Sequence, residues 1–379
     1  MIPLIKPWIG IEEAEAVAEA IASGWIAQGP RVEEFERALA TRVGAVEGVA
    51  VSSCTTGLHL ALYVLDVGPG DDVIVPSLSF IATANAPRYV GARPVFADVD
   101  PVTFNMTVET IEAALTPTTR AVILVHQLGM PADINSVREF CDRHSLALIE
   151  DAACAIGSTY QGSPIGGNSD LVVFSFHPRK LLTTGEGGMV MTSDHDLAAR
   201  MRRLRQHGMS QDAYSRHGSG ALSTFDELGF NFRLTDIQAA MGMVQLDRLG
   251  TLIERRRSQA DRYAQALEDV EEIRVPGDPA YGTTNYQSYA IVLASDAKND
   301  RDELMKYLAA NGISTRVGVM AAHREGALQQ FAAAPLPATE SLTDTSLILP
   351  LFHDLKEDDQ ERVALAIQRH LGGKHVGLS

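Results

Sequence analysis

The densest group of chemistry-bearing residues is FSFHPRKLLTTGEGGMV (174–190). An apolar strand pattern ends at Phe176. Lys180 follows in a short non-helical stretch that Gly185, Gly187 and Gly188 close. A single lysine before a glycine turn is most often a solvated surface residue. This one stands just past the carboxyl end of a buried strand, where open α/β sheets collect ligands. Glycines there let backbone approach a flat ligand closely. A lysine in a partly desolvated site is expected to have a lowered pKa, and its free amine can then form a Schiff base with a carbonyl.

Two further segments fit chemistry of that kind. In LALIEDAACAIG (146–157) a strand ends in Glu150 and Asp151. A pyridoxal phosphate ring needs an anion at its nitrogen, because the protonated ring withdraws electrons from the carbanion formed beside the Schiff base. Asp151 is placed for that role, although a strand-to-helix aspartate is commonly just an N-cap. SSCTTGLHLAL (52–62) is a strand-to-helix turn of small hydroxyl residues. The free N–H groups and dipole of a helix N-terminus favour a phosphate, and Thr55 and Thr56 add hydroxyl donors. By itself that turn reads as a threonine N-cap. No GxGxxG opens a helix after a strand and no P-loop occurs, so a nucleotide-cofactor fold lacks support.

The elements that must hold these residues alternate. From about Ala45 to Val190 the short apolar runs VAVSS, DVIVP, RPVFADV, AVILVH, LALIED, LVVFSF and GMVMTS read as strands, with helical patterns between them. INSVREFCDRH is one such helix, with Asp133 as its expected N-cap. Ser193 with Asp196 resembles a capping box for the helix after GMVMTS, which Gly208 is expected to stop. Alternation of this kind implies a mostly parallel sheet with right-handed crossovers. Residues 236–270 form one long helical pattern. Beyond it come a strand over 289–293, a helix over 301–311, a strand-like ISTRVGV and a helix over 356–371. The division this suggests is a large domain over 1–248 and a smaller α/β domain over 249–379.

Composition bounds the function. The 379 residues are 45% hydrophobic and 21% charged with a net charge of −16, values of an ordinary globular chain. Such acidity argues against a general nucleic-acid or anionic-membrane binder, which needs a positive face. The three cysteines, Cys54, Cys141 and Cys154, have neither disulfide nor zinc-site spacing, so no metal is expected. MIPLIKPWIGIEEAEAV lacks a signal-peptide pattern and no apolar run reaches membrane-spanning length, so a cytoplasmic protein is expected.

Together the segments resemble the DegT/DnrJ/EryC1/StrS family of pyridoxal-phosphate sugar aminotransferases. The resemblance runs through SGWIAQGPRVEEFE (23–36), SSCTTGLHLAL, PSLSFIATANA, IEDAACAIGSTYQG, FSFHPRKLLTTGEGG and LGFNFRLTDIQAAMGMVQL (228–246). It implies a fold-type-I transferase of the aspartate-aminotransferase kind and a homodimer with its active site at the interface. It makes Lys180 the Schiff-base lysine and proton shuttle, and Asp151 the partner of the ring nitrogen. Phe80 corresponds to the residue stacking on the ring. Ser175, Cys54 and Thr55 match phosphate ligands, and Asn231 matches a residue reaching the neighbouring subunit's cofactor. Cys154 stands beside the cofactor where many relatives carry Gln or His, and Cys54 where Gly or Ala is usual.

A lysine at position 180 favours transamination, since deoxygenating relatives carry histidine there. His177, three residues earlier, is expected to shape the pocket wall. The implied reaction passes an amino group from glutamate, through pyridoxamine phosphate, to a nucleotide-linked keto-deoxyhexose. A cyclitol ketone, a non-transaminating sugar enzyme and a cofactor-binding regulatory protein are the alternatives. Arg233, Arg316 and His323 are the expected cations for the substrate's phosphates. A single arginine such as Arg316 is as readily a solvated strand residue.

Overall fold

A computed structural model describes residues 1–167, 169–210, 224–294 and 298–372. The chain opens with α1 (Ile11–Ala22) and α2 (Pro30–Val43), then β1 (Glu47–Val51), α3 (Cys54–Val64), β2 (Asp72–Pro76), α4 (Ile81–Tyr89) and β3 (Arg93–Ala97). There follow α5 (Val108–Ala113), β4 (Thr119–Val125), α6 (Ile134–His144), β5 (Ala147–Asp151), β6 (Thr159–Tyr160), β7 (Ser163–Pro164), β8 (Val172–Ser175), β9 (Gly188–Thr192) and α7 (His195–Leu204). The remainder comprises α8 (Asp236–Ala266), β10 (Ile273–Arg274), β11 (Gly282–Thr283), β12 (Tyr289–Leu293), α9 (Lys298–Ala310), β13 (Arg316–Val317), α10 (Pro337–Thr345), β14 (Ser346–Leu349) and α11 (Glu357–Gly372).

Seven strands form the main sheet in the order β1-β9-β8-β5-β4-β2-β3. Only β9 runs against its neighbours; the pairs β8–β5, β5–β4, β4–β2 and β2–β3 are parallel. DVIVP and GMVMT are buried along their whole length, as expected of strands covered on both faces. On one face Leu58, Leu62, Met201 and Leu204 cover the sheet from α3 and α7. On the other, Phe35, Leu39, Leu246 and Leu249 do so from α2 and α8. Gly57 lets α3 lie flat on the sheet, since a Cβ there would meet Val173 Cγ1 at 2.6 Å.

A second, antiparallel sheet, β10-β12-β14-β13, buries Tyr289, Ile291 and Leu347 against Tyr263 of α8, Leu304 of α9 and Ile367 of α11. A three-strand ribbon, β11-β6-β7, links the two regions. Helix α8 runs unbroken across Arg248 and Leu249, its first half in the core of the main sheet and its second in that of the smaller one. Among the described residues no helix is long and apolar enough to cross a membrane.

Several local expectations change. Helix α7 is capped by Asp194 rather than Ser193, its carboxylate accepting from the N–H groups of Asp196 (2.8 Å) and Leu197 (3.0 Å). Asp133 stands at the N-cap of α6 as expected, but its carboxylate caps no backbone N–H, accepting instead from Ser136 Oγ (2.6 Å) and Tyr160 OH (2.6 Å). The strand read over ISTRVGV shrinks to Arg316–Val317, which pairs with β14 alone. The N-terminus was missed altogether: Ile2 is buried in the second core and donates its N–H to Gly312 O (2.8 Å).

At the start of β2, buried Asp72 accepts from Arg93 Nε (2.7 Å), Thr116 Oγ1 (2.6 Å) and Thr118 Oγ1 (2.9 Å). The Arg93 guanidinium foremost, with the two hydroxyls, outweighs the upward pull of burial and brings the carboxyl down to about 2. A depressed carboxyl stabilises the fold above its unfolded pKa near 4, and the contribution disappears as pH falls toward 2. Asp72→Asn is therefore expected to cost about 1–2 kcal/mol at pH 7 and to flatten the loss of stability between pH 4 and 2. Urea unfolding of both proteins across that range checks this; parallel curves would refute it.

Candidate active site

The carboxyl ends of β1, β4, β5 and β8 open into a cleft of about 630 Å³, closed on its far side by β13 and β14. Lys180 enters from the turn after β8. Its N–H is tied to His177 O (2.8 Å), and Phe176 N–H to Gly187 O (2.9 Å), so the strand is sealed before the lysine departs. Gly187 sits at φ +155°, and a Cβ there would meet Thr184 Oγ1 at 2.5 Å, which keeps the turn tight.

Lys180 Nζ donates to Cys154 Sγ at 3.1 Å. Burial pulls the ammonium pKa down, but Cys154, then Cys54 and Asp151, push it up further, and the net direction is upward. The expectation of a lowered pKa is thereby corrected: the neighbouring sulfurs and carboxylate outweigh desolvation.

Asp151 ends β5 and is buried. One carboxylate oxygen accepts from Thr83 Oγ1 (2.8 Å), the other from the Ala153 N–H (3.1 Å). No helix follows it, so it is not a helix cap. Cys54 Sγ lies 3.8 Å from its Oδ1, and burial, with that carboxylate, drives the Cys54 thiol well up.

At the start of α3, Ser53, Cys54 and Thr55 line the cleft. Thr56 does not; its hydroxyl donates to Ser53 O (2.8 Å) and accepts from Ser53 N (3.0 Å), so the expected phosphate role gives way to a capping box. Ser175 faces the cleft from the end of β8. Phe80 projects from the β2–α4 turn into the cleft with 69% of its surface exposed, an uncovered aromatic face. An amine, a buried carboxylate, a helix N-terminus with hydroxyls and an open ring face together form the donor set of a phosphorylated, cationic, flat aldehyde.

The expected substrate residues divide. His177 and Arg316 line the cleft, and Arg179 joins them. The Arg316 guanidinium is pushed down by burial and then by the charge of Arg179, with Cys154 opposing. His323 is corrected: it is buried outside the cleft, with Nδ1 2.6 Å from Ser77 Oγ and Nε2 3.4 Å from Glu340. Asn231 and Arg233 also lie outside this chain's cleft, on a segment packed against α3 through Phe230. Thr83, Arg179, Gln287, Leu4 and Ile5 belong to the cleft's surroundings but were missed. Arg179 was within reach, being adjacent to the lysine. Leu4 and Ile5 were not, because their place depends on the N-terminus crossing to the second sheet.

The family model for the DegT/DnrJ/EryC1/StrS aminotransferase family matches residues 7–368. Among solved structures, the aminotransferase TlmJ from Streptoalloteichus hindustanus is 36% identical with a TM-score of 0.91, covering 99% of this chain and 100% of its own. The sugar aminotransferase CalS13 from Micromonospora echinospora is 31% identical with a TM-score of 0.89, covering 97% and 99%. The PLP form of Spr1654 from Streptococcus pneumoniae is 27% identical with a TM-score of 0.91, covering 98% and 99%. The chain belongs to the DegT/DnrJ/EryC1/StrS aminotransferase family.

Proposed function

We propose that this family member is a pyridoxal-phosphate-dependent aminotransferase that moves an amino group from glutamate to the carbonyl of a nucleotide-linked keto-deoxyhexose. The observation that carries the reading is the meeting of Lys180 and Asp151 in one cleft with the N-terminus of α3 and the open face of Phe80. Pyridoxal phosphate, when bound, supplies an aldehyde that condenses with amines and a ring that takes up the electron pair freed at the substrate carbon.

The chain's own residues do the rest. Lys180 Nζ would hold the cofactor through its aldehyde carbon and, as a free amine, would be the group that moves a proton between the donor's α-carbon and the cofactor's C4′. Asp151 keeps a proton on the ring nitrogen, and Thr83 and the Ala153 N–H fix that carboxylate in place. Phe80 covers one ring face. The first N–H groups of α3, with Thr55 and Ser175, hold the phosphate. With the keto-sugar in place of the donor, Lys180 would move the proton in the opposite direction. Asn231 and Arg233, exposed or half-buried and outside this cleft, serve the partner's site in a homodimer. We place the division between the large and small domains within α8.

Mass spectrometry of the product, after incubation with glutamate and a panel of nucleotide-linked keto-sugars and cyclitol ketones, tests the reaction. Amination of a cyclitol alone would replace the proposed substrate, and no amination of any ketone would overturn the reading.

Arg316 and Arg179 are cations in the cleft of a chain of net charge −16. Among the described residues neither side chain has a carboxylate within 4 Å. Arg316→Ala is expected to raise the KM for the anionic substrate by about 10- to 100-fold with normal cofactor loading. An unchanged KM would remove Arg316 from substrate binding.

A further inference from the structure

Cys154 has no part in the chemistry above, yet its sulfur holds the essential amine. Among the described residues Lys180 Nζ makes one hydrogen bond, to Cys154 Sγ. Both residues are held by a single segment, Asn285–Gln287, that leads into β12. Asn285 is fully buried, and its Nδ2 donates to Cys154 O (2.9 Å) and Ile156 O (2.8 Å). Two residues on, Gln287 Nε2 donates to Arg179 O (2.6 Å), and its Oε1 accepts from the Leu181 N–H (3.2 Å). Gln287 thus grips the backbone on both sides of Lys180 while Asn285 grips that of Cys154. The Gln287 backbone N–H donates to Asn285 Oδ1 (2.8 Å), which ties the Asn285 side chain to the backbone that carries Gln287.

The segment is fixed from behind. Arg256 of α8 is buried and donates through Nη1 to Tyr286 O (3.0 Å) and Gln287 O (3.2 Å). Burial alone brings that guanidinium down to about 10. Arg257 Nη1 donates to Thr284 O (2.7 Å). Gly129 completes the fit: a Cβ there would lie 2.0 Å from Asn285 Oδ1. Among the described residues Arg256 Nε is left without a partner, but the Asn285 and Gln287 side-chain bonds hold this segment in one arrangement.

We propose that Cys154 is a positioning residue for Lys180, seating the amine whenever Nζ is not bonded to the cofactor, with Asn285–Gln287 setting the separation of the pair. The proposal rests on the aminotransferase reading. A released lysine on a long flexible stem has many rotamers, and a seat within hydrogen-bond reach keeps Nζ in the cleft for the proton transfer. The other titratable or charged groups facing the pair are Cys54 from α3, Asp151 from β5, Arg316 from β13, and His177, Arg179 and Glu186 from the lysine's own segment. None of them is a hydrogen-bond partner of Nζ.

The test uses the full-length, cofactor-loaded protein and the variants Cys154→Ala, Cys154→Ser and Gln287→Met. Cys154→Ala is expected to lower kcat about tenfold with both KM values within about threefold, and to enlarge the primary isotope effect from glutamate deuterated at its α-carbon. Cys154→Ser, which keeps an acceptor, is expected to recover most of the loss. A second readout needs no turnover: cofactor-free protein is treated with acetic anhydride across pH, and labelling of Lys180 is followed in the 174–190 peptide. With the acceptor gone and burial retained, Cys154→Ala is expected to label at lower pH than the native chain. Gln287→Met is expected to shift in the same direction, and it carries the test should Cys154→Ala not fold. Unchanged kcat, isotope effect and labelling would overturn the proposal. Borohydride reduction of the loaded native protein separates the two levels. Failure to fix cofactor on 174–190 sinks the aminotransferase reading, whereas normal fixation with indifferent variants sinks only the role of Cys154.

Discussion

Lys180→Ala yields a colourless protein whose turnover falls by about four orders of magnitude or more. The loss is large because one amine has two duties. Among the described residues it is the only lysine lining the cleft, so no other side chain described there can hold an aldehyde covalently. It is also the group placed to move the proton, and positioned acid–base catalysis alone contributes about 10²- to 10⁴-fold. The truncation should leave the fold intact, since the turn around position 180 is held by backbone bonds of His177, Phe176 and Gly187 and by Gln287, not by the lysine side chain. Steady-state kinetics, the absorbance of the loaded protein and borohydride fixation on the 174–190 peptide check this together. A variant that stays yellow and active would remove Lys180 from the chemistry.

The second large effect is Asp151→Asn, for which kcat drops by about 10²- to 10³-fold while cofactor still binds. The substitution keeps the shape and one acceptor oxygen for the Ala153 N–H, while the new amide NH₂ can donate to the Thr83 hydroxyl in place of the bond that hydroxyl gave to the second carboxylate oxygen, so the local structure survives. What goes is a buried negative charge facing the ring nitrogen. Removing one member of a buried charge pair costs about 3–5 kcal/mol, which corresponds to two to three or more orders of magnitude in rate when the charge acts in the transition state. The same charge also holds the Lys180 ammonium up, so in the variant the lysine shifts down. Steady-state kinetics of the loaded protein measure the first, and acetic anhydride labelling of Lys180 across pH in cofactor-free protein measures the second. A variant with native kcat would show that the ring needs no anion from Asp151.

The architecture was open to reading because it depends on local rules. VAVSS, DVIVP, AVILVH and LVVFSF are apolar runs that only a sheet covered on both sides can bury, and crossover chirality does the rest. The glycine turn after Phe176 and the hydroxyl-rich start of α3 are short-range features whose backbone geometry follows from residue type. Lys180, Asp151, Cys54, Thr55, Phe80 and Ser175 therefore fall in one cleft, as their positions at strand and helix ends imply.

Side-chain fate was less open, because competing partners decide it. Thr56 looks the same as Thr55 in sequence, but in α3 it is the N3 residue of a capping box and turns back to Ser53. His323 lies four residues past the strand-like ISTRVGV and reads as a cation for the substrate's phosphates, until Ser77 and Glu340 arrive from distant elements to hold it. Lys180 was expected to be depressed by burial, and the reversal comes from Cys154, Cys54 and Asp151, which are 26, 126 and 29 residues away in the chain.

By itself, the sequence determined the alternating α/β plan, the chemistry of an amine and a carboxylate at strand ends, and the family. Those follow from periodicity, turn chemistry and residue type, all of which act over a few neighbouring residues. Tertiary structure alone decided the direction of the lysine's pKa, the closing of the cleft by the N-terminus and second sheet, and the grip of Asn285 and Gln287 on the Lys180–Cys154 pair. Each of those depends on distances in space between segments apart in the chain, such as the 26 residues between Lys180 and Cys154 and the 131 between Asn285 and Cys154, and electrostatics and hydrogen bonding respond to that spacing, not to order along the chain.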